Sequence, residues 1–165
     1  MRQKLLLKIF ALSLILVFTC PAPVTALSAG ADGDAEEDAG SEVAELFTLI
    51  NTSREEDDRS RLYYCEDLSA VARSHAKDMI ARDYFSHRCP DGNGVSQRVR
   101  DAGIAFTRLG ENLAGHTCVM GAHGMIMRSR GHRAITLGAY DRVGLAVVRG
   151  GRYGTMIVQI FAGTE

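Results

Sequence analysis

The chain has 165 residues, 46% of them apolar and 24% charged, with three prolines and four cysteines. That is about one domain with material for a single core, and it excludes a collagen-like chain, a wholly disordered chain and a disulfide miniprotein. The formal net charge of −1 hides unlike segments: three bases and no acid over 1–26, six acids and no base over 27–42, and 16 bases against 14 acids over 43–165. A body this near neutral lacks the basic face that nucleic-acid binding requires, so no nucleic-acid partner is expected.

The front end begins with Arg2, Lys4 and Lys8, continues with an apolar run from Ile9 to Phe18, and closes on Pro21, Pro23 and Val24-Thr25-Ala26. Basic, apolar, then small residues is the pattern of a secretory signal, with cleavage expected after Ala26. The apolar run is shorter than the ~20 residues a bilayer span needs, so no transmembrane span is expected after processing. Cys20 raises a lipoprotein alternative, which bulky Phe18 and Thr19 fit poorly. Residues 27–42 carry acids, Gly, Ala and Ser and little to bury, and they are expected to form a disordered acidic linker before a folded domain over 43–165.

Within that body, Val43, Leu46, Phe47 and Ile50 recur at helical spacing, which predicts a helix over 41–56. It should fray at Glu55-Glu56-Asp57-Asp58, where four acids oppose the macrodipole. Leu68, Val71, Ala72, His75, Ala76 and Met79 form a second stripe and predict a helix over 66–82, with His75 as a packed histidine. A short helix is expected over 95–102, closed by Gly103 in the left-handed region. Residues 118–128 read as a weaker helix because it contains Gly121 and Gly124, with Met120, Met125 and Met127 as core filler. Val143, Leu145 and Val147 alternate, Arg149-Gly150-Gly151-Arg152 turns, and 155–160 alternate again, which is a β-hairpin. Helices first and a hairpin last, with short strands between, predict an α+β layered domain.

Three stretches look unlike packing sequence: Phe85-Ser86-His87 with Asp91-Gly92, Gly110-Glu111-Asn112, and Ser129-Arg130-Gly131-His132-Arg133. Each is read as a loop carrying a metal-capable or proton-transferring side chain. Taken alone, each is also compatible with an exposed loop.

In their order along the chain these stretches resemble the CAP superfamily (SCP domain: cysteine-rich secretory, antigen 5 and pathogenesis-related proteins), most closely its bacterial secreted branch. Asn51 and Arg54, the 68–79 helix, Gln97-Arg98, Val143-Gly144-Leu145-Ala146 and Gln159-Ile160-Phe161 fit the same pattern. The resemblance implies a three-layer α-β-α sandwich with a cleft built from His87, Glu111 and His132, supported by Ser86, Asn112, Ser129 and Arg133. The family's second acid is absent, since Ser129 stands in its place and Ile126 stands where a Trp is usual. Two imidazoles and a carboxylate would suit Zn²⁺ or another divalent cation. Three readings follow: a metal- or ligand-binding cleft without turnover, an extracellular metal-assisted hydrolase, and a passive envelope or host-interaction domain whose cluster is structural. No nucleophile triad is legible around Ser86 or Ser129. A lipid or cell-envelope ligand is the expected class of partner, with Arg128, Arg130 and Arg133 either contacting an anion or forming a solvated rim.

After cleavage, Cys65, Cys89 and Cys118 remain, an odd number for an exported chain. A Cys89–Cys118 disulfide is favoured because both lie near the resemblance-derived site residues, with Cys65–Cys89 as the rival pairing. His116 and His123 fall outside the matched positions and read as surface or packing histidines.

Overall fold

A computed structural model describes residues 31–164, with side chains from residue 40 onward. The expected signal segment, its cleavage site and Cys20 lie outside the described residues.

Helix α1 spans Ala31–Glu55 and starts ten residues before the predicted 41. Residues 31–40, expected in the disordered linker, are therefore helical backbone. Alanine and glutamate, which recur in this stretch, are good helix formers. The helix stops at Glu55 and Asp58 turns with φ 55°, as the acid run at 55–58 anticipated. Strand β1 (Tyr63–Tyr64) leads into α2 (Glu66–Ala81), whose first turn carries Glu66 and Asp67. Helix α3 (Val95–Asp101) is followed by Gly103 at φ 72°. Strand β2 (Arg108–Gly115), helices α4 (Val119–Arg128) and α5 (Arg130–Thr136), and the hairpin β3 (Arg142–Arg149) and β4 (Thr155–Gly163) complete the chain.

The four strands form one sheet in the order β1-β3-β4-β2. β4 is central and antiparallel to both neighbours, pairing Glu111 with Ile160, Asn112 with Gln159 and Leu145 with Gln159. β1 pairs with β3 in parallel over two residues only. Because side chains alternate across a strand, the sheet has two separate cores. On one face α1 and α4 pack through Leu46, Ile50 and Ile126 onto Leu145, Val147, Ile157 and Phe161. On the other, α2 packs through Leu68, Ala72, Ala76 and Met79, with Val99 of α3, onto Ala146, Val158, Ile160 and Ala162. Helices on both faces of a mixed sheet make this an α+β, α-β-α sandwich, as predicted.

Two glycines permit close packing. A Cβ at Gly144 would lie 2.3 Å from the Leu68 backbone, so only glycine lets α2 settle against β3. A Cβ at Gly121 would lie 2.1 Å from the His116 ring. The residue that weakens α4 by propensity thus admits the ring that packs on it. Met120 and Met125, expected as core filler, are 65% and 39% exposed; the α4 stripe that turns inward is Val119, Ala122, His123 and Ile126.

Buried polar side chains close the remaining gaps. Asn51 receives the Leu62 N–H at 2.8 Å and donates to the Leu62 carbonyl at 3.3 Å, substituting for a strand partner. Arg54 is 2% exposed and donates to the carbonyls of Ser60, Thr136 and Gly138 at 2.8, 2.8 and 2.9 Å, tying α1 to the end of α5.

Candidate functional site

The Gly110-Glu111-Asn112 stretch, read as a loop, is mid-strand in β2. That correction determines the geometry of the site. Consecutive strand residues face opposite sides, so Glu111 shares the α2/α3 face with Ile160, while Asn112 shares the α1/α4 face with Gln159.

Glu111 is buried, its side chain 2% exposed. Its Oε1 accepts from His87 Nδ1 at 2.8 Å, and its Oε2 accepts from Arg98 Nη2 at 2.5 Å. Arg98 Nη1 donates to the carbonyls of His87 and Asn93 at 3.1 and 3.2 Å. A buried carboxylate requires a paired charge and filled lone pairs, and Arg98 of α3 supplies the charge. The sequence reading missed Arg98 as a site residue. The available signal was a carboxylate on a strand destined for burial, with an arginine on the neighbouring short helix.

The network continues beside this pair. Ser86, expected as cleft support, contributes its carbonyl, which accepts from His75 Nε2 at 3.0 Å, while its hydroxyl accepts the Arg88 N–H at 3.2 Å. His75 is 1% exposed, and its Nδ1 lies 3.5 Å from the Tyr84 hydroxyl, which donates to Asp78. Burial first, and the Arg98 charge second, hold the His75 imidazole below its usual range. His75 is thus the packed histidine that its stripe predicted.

Asn112, fully buried, donates to the His132 carbonyl at 3.2 Å, to Thr136 Oγ1 at 3.0 Å and to Gln159 Oε1 at 3.2 Å. It therefore fixes α5 on the α1/α4 face. The 130–136 stretch is helical rather than the expected loop, and Ser129 is its N-cap without a side-chain capping bond. His132 rides on α5, and its imidazole makes no hydrogen bond or ion pair among the described residues. Arg133 donates to Asp57 at 2.7 Å, joining α5 to the turn after α1.

The expected triad is therefore only half assembled. His87 and Glu111 meet, and His132 rides on α5, which Asn112 holds through the His132 backbone carbonyl. No group of three or more His, Cys, Asp or Glu among the described residues is arranged to hold a metal ion, and Arg98 occupies the Glu111 oxygen that a cation would need. These residues do not fit a divalent centre.

The expected Cys89–Cys118 disulfide is not formed, nor is Cys65–Cys89; all three are free thiols. β2 rises ~3.4 Å per residue, so it carries the chain about 13 Å from Glu111 before the turn that leads to Cys118 at the α4 N-cap. Cys89 stays near α3, with its N–H on the Asn93 carbonyl at 3.0 Å. His116 Nδ1 lies 3.1 Å from the Cys118 N–H and 3.7 Å from its sulfur. His123 is buried, accepts from or donates to Ser53 Oγ at 2.9 Å, and is held below the usual imidazole range by burial. It is a packing histidine, as predicted.

A two-core α-β-α sandwich with the Gly-Glu-Asn stretch on its outer long strand, and a histidine from the 85–94 loop on its glutamate, defines a CAP-type domain. The chain belongs to the Cysteine-rich secretory protein family, whose pattern it matches over residues 47–161. It is 27% identical over 132 residues to the uncharacterized Bacillus subtilis protein YkwD, covering 79% of this chain and 51% of that one. The chain thus spans about half the length of that relative. Its fold is similar to an extracellular SCP-domain protein from Bacillus anthracis, with a TM-score of 0.73 at 25% identity over 87% of this chain and 45% of that one. It is also similar in fold to an outer surface protein from Borrelia burgdorferi, with a TM-score of 0.71 at 17% identity over 76% of this chain and 94% of that one.

Proposed function

We propose that this chain works outside the cytoplasm as a binding domain without turnover, and that its His87–Glu111–Arg98 cluster ties loops together rather than holding a metal. The observation that carries the reading is the division of the Glu111 carboxylate, one oxygen to His87 and the other to Arg98. That division links the 85–94 loop, α3 and β2 at one buried point. A metal centre would require Arg98 to leave Glu111 and a third ligand to join His87 and Glu111. The front-end pattern of basic, apolar and small residues supports export, as does the similarity to an extracellular SCP-domain protein. No helix among the described residues is long and apolar enough to cross a membrane.

The test is a thermal melt of the chelator-stripped protein, with and without Zn²⁺, beside His87→Ala, Arg98→Ala and His132→Ala. The expected result is no Zn²⁺ shift in any sample, with His87→Ala and Arg98→Ala melting lower and His132→Ala close to wild type. A cation at 100 times its Kd adds ~2.7 kcal/mol, a rise of several degrees. Such a rise in wild type, lost in both histidine variants, would replace this reading with a metal centre.

A further inference from the structure

Beyond that reading, and independent of the Glu111 cluster, we propose that the open edge of β3 receives an extended acidic peptide, which adds as a strand between α1 and α2. β1 covers this edge for two residues only, at Arg142 and Val143. Past it, the Cys65 N–H meets the Val143 carbonyl at 2.9 Å, and the Leu145 N–H donates to Ser69 Oγ at 2.9 Å. Backbone groups point to alternate sides of a strand, so Val147 is the next residue to present its N–H and C=O outward, and no partner meets them among the described residues.

A groove of about 770 Å³ runs along this edge. Its wall includes the consecutive residues Leu145, Ala146, Val147, Val148 and Arg149. A groove over a sheet face would touch alternate residues; one that touches every residue sees the strand edge-on. A lipid chain cannot satisfy alternating N–H and C=O groups, whereas a peptide backbone can. The stretch Leu145–Arg149 spans ~13 Å, room for four or five extended residues.

The two helices bounding the groove dictate the peptide's side chains. α1 lies on the Leu145/Val147 face and offers Val43 and Phe47; α2 lies on the Ala146/Val148 face and offers two bases, Arg73 and Lys77, against one acid, Glu66. Alternate residues of an added strand would point to each in turn. The fitting sequence therefore alternates apolar residues, toward α1, with acids, toward α2. Lys77 is exposed and has no ion-pair partner among the described residues, and Arg73 is held only by an exposed pair with Glu66 at 2.9 Å. Exposed pairs of this kind contribute little and exchange partners readily.

The experiment uses a fluorescein-labelled heptapeptide of alternating valine and acid (Val-Asp-Val-Glu-Val-Asp-Val), beside an isomer with its acids grouped, in anisotropy titrations against the purified protein. The alternating peptide should bind at least tenfold tighter than its isomer. Lys77→Glu should weaken it at least fivefold, and Val147→Pro should abolish binding. An edge position tolerates proline because its N–H does not serve the sheet. The Val147 amide should gain hydrogen-exchange protection in the wild-type complex, a readout that needs no variant to fold. Equal binding of the two isomers, indifference to Lys77→Glu, or no added protection at Val147 would overturn the proposal. So would binding of laurate alone at the groove, or peptide-free dimerisation that Val147→Pro removes; these would assign the groove to an amphiphile or to a second copy.

Discussion

Glu111 and Asn112 are neighbours in β2 and serve opposite cores of the sheet. Glu111 binds Arg98 and His87 on the α2/α3 side; Asn112 binds the His132 carbonyl, Thr136 and Gln159 on the α1/α4 side. One dipeptide therefore holds a helix or loop on each face. A cluster that looks like a linear binding motif is, in three dimensions, a two-sided clamp.

The clamp predicts a hierarchy of losses. Arg98→Ala leaves the Glu111 carboxylate buried without its cation, which costs about 3–5 kcal/mol. Arg98→Ala combined with Glu111→Leu removes both charges and should cost clearly less than the two single losses added together. Urea unfolding of the three variants and wild type measures this; simple additivity would mean that the pair is not coupled.

On the other face, Asn112→Ala strips donors from three acceptors. Each buried acceptor left unsatisfied costs about 1–3 kcal/mol. The loss should appear in the same urea experiment, together with faster amide exchange in α5, while α3 exchange is unchanged.

Acid should destabilise the domain earlier than its carboxylates alone would require. Burial lowers the proton affinity of His75, with help from Arg98, and of His123. The unfolded chain then binds more protons than the folded one between the folded values and the ordinary value of ~6.5. Stability therefore rises with pH through that window and is lost as pH falls through it. Unfolding at pH 7.5, 6.5 and 5.5 should show a loss of up to ~1.4 kcal/mol per pH unit for each histidine. His75→Gln and His123→Asn should each flatten the slope, whatever they do to its height; variants that keep the full slope would refute the assignment.

Gly144→Ala tests the seam between α2 and β3. The new methyl would sit 2.3 Å from the Leu68 backbone, with no flexible side chain to move aside. Overpacking of this kind costs ~1–3 kcal/mol or more. A melt of the variant unchanged within a degree would show that α2 is free to shift.

Reducing agent should leave the melting temperature unchanged, because the three cysteines of the described domain are free thiols. A Cys89–Cys118 bond would contribute ~3 kcal/mol, so loss of several degrees in reductant would contradict the free-thiol state. Iodoacetamide should label exposed Cys118 before half-buried Cys65 and Cys89.

Much of this molecule was legible from local patterns. The stripe from Leu68 to Met79 set the inward face of α2 and placed His75 in it, because 3.6-residue periodicity is a property of a short segment. Gly103 closed α3, and alternation around Gly150-Gly151 gave the hairpin, for the same reason. The spaced motifs from Asn51 to Phe161 sufficed for the α-β-α family. Other features depended on residues far apart in sequence. Whether 110–112 is loop or strand was decided by pairing with 159–161, and that pairing sent Glu111 and Asn112 to different sides. Arg98 found Glu111, and α5 with His132 was fixed by Asn112, because strand register and helix placement are settled by packing across the whole sheet. The cysteines stayed apart for the same reason: thiols bond only where the fold brings their backbones within ~7 Å, and spacing along the chain does not encode that distance.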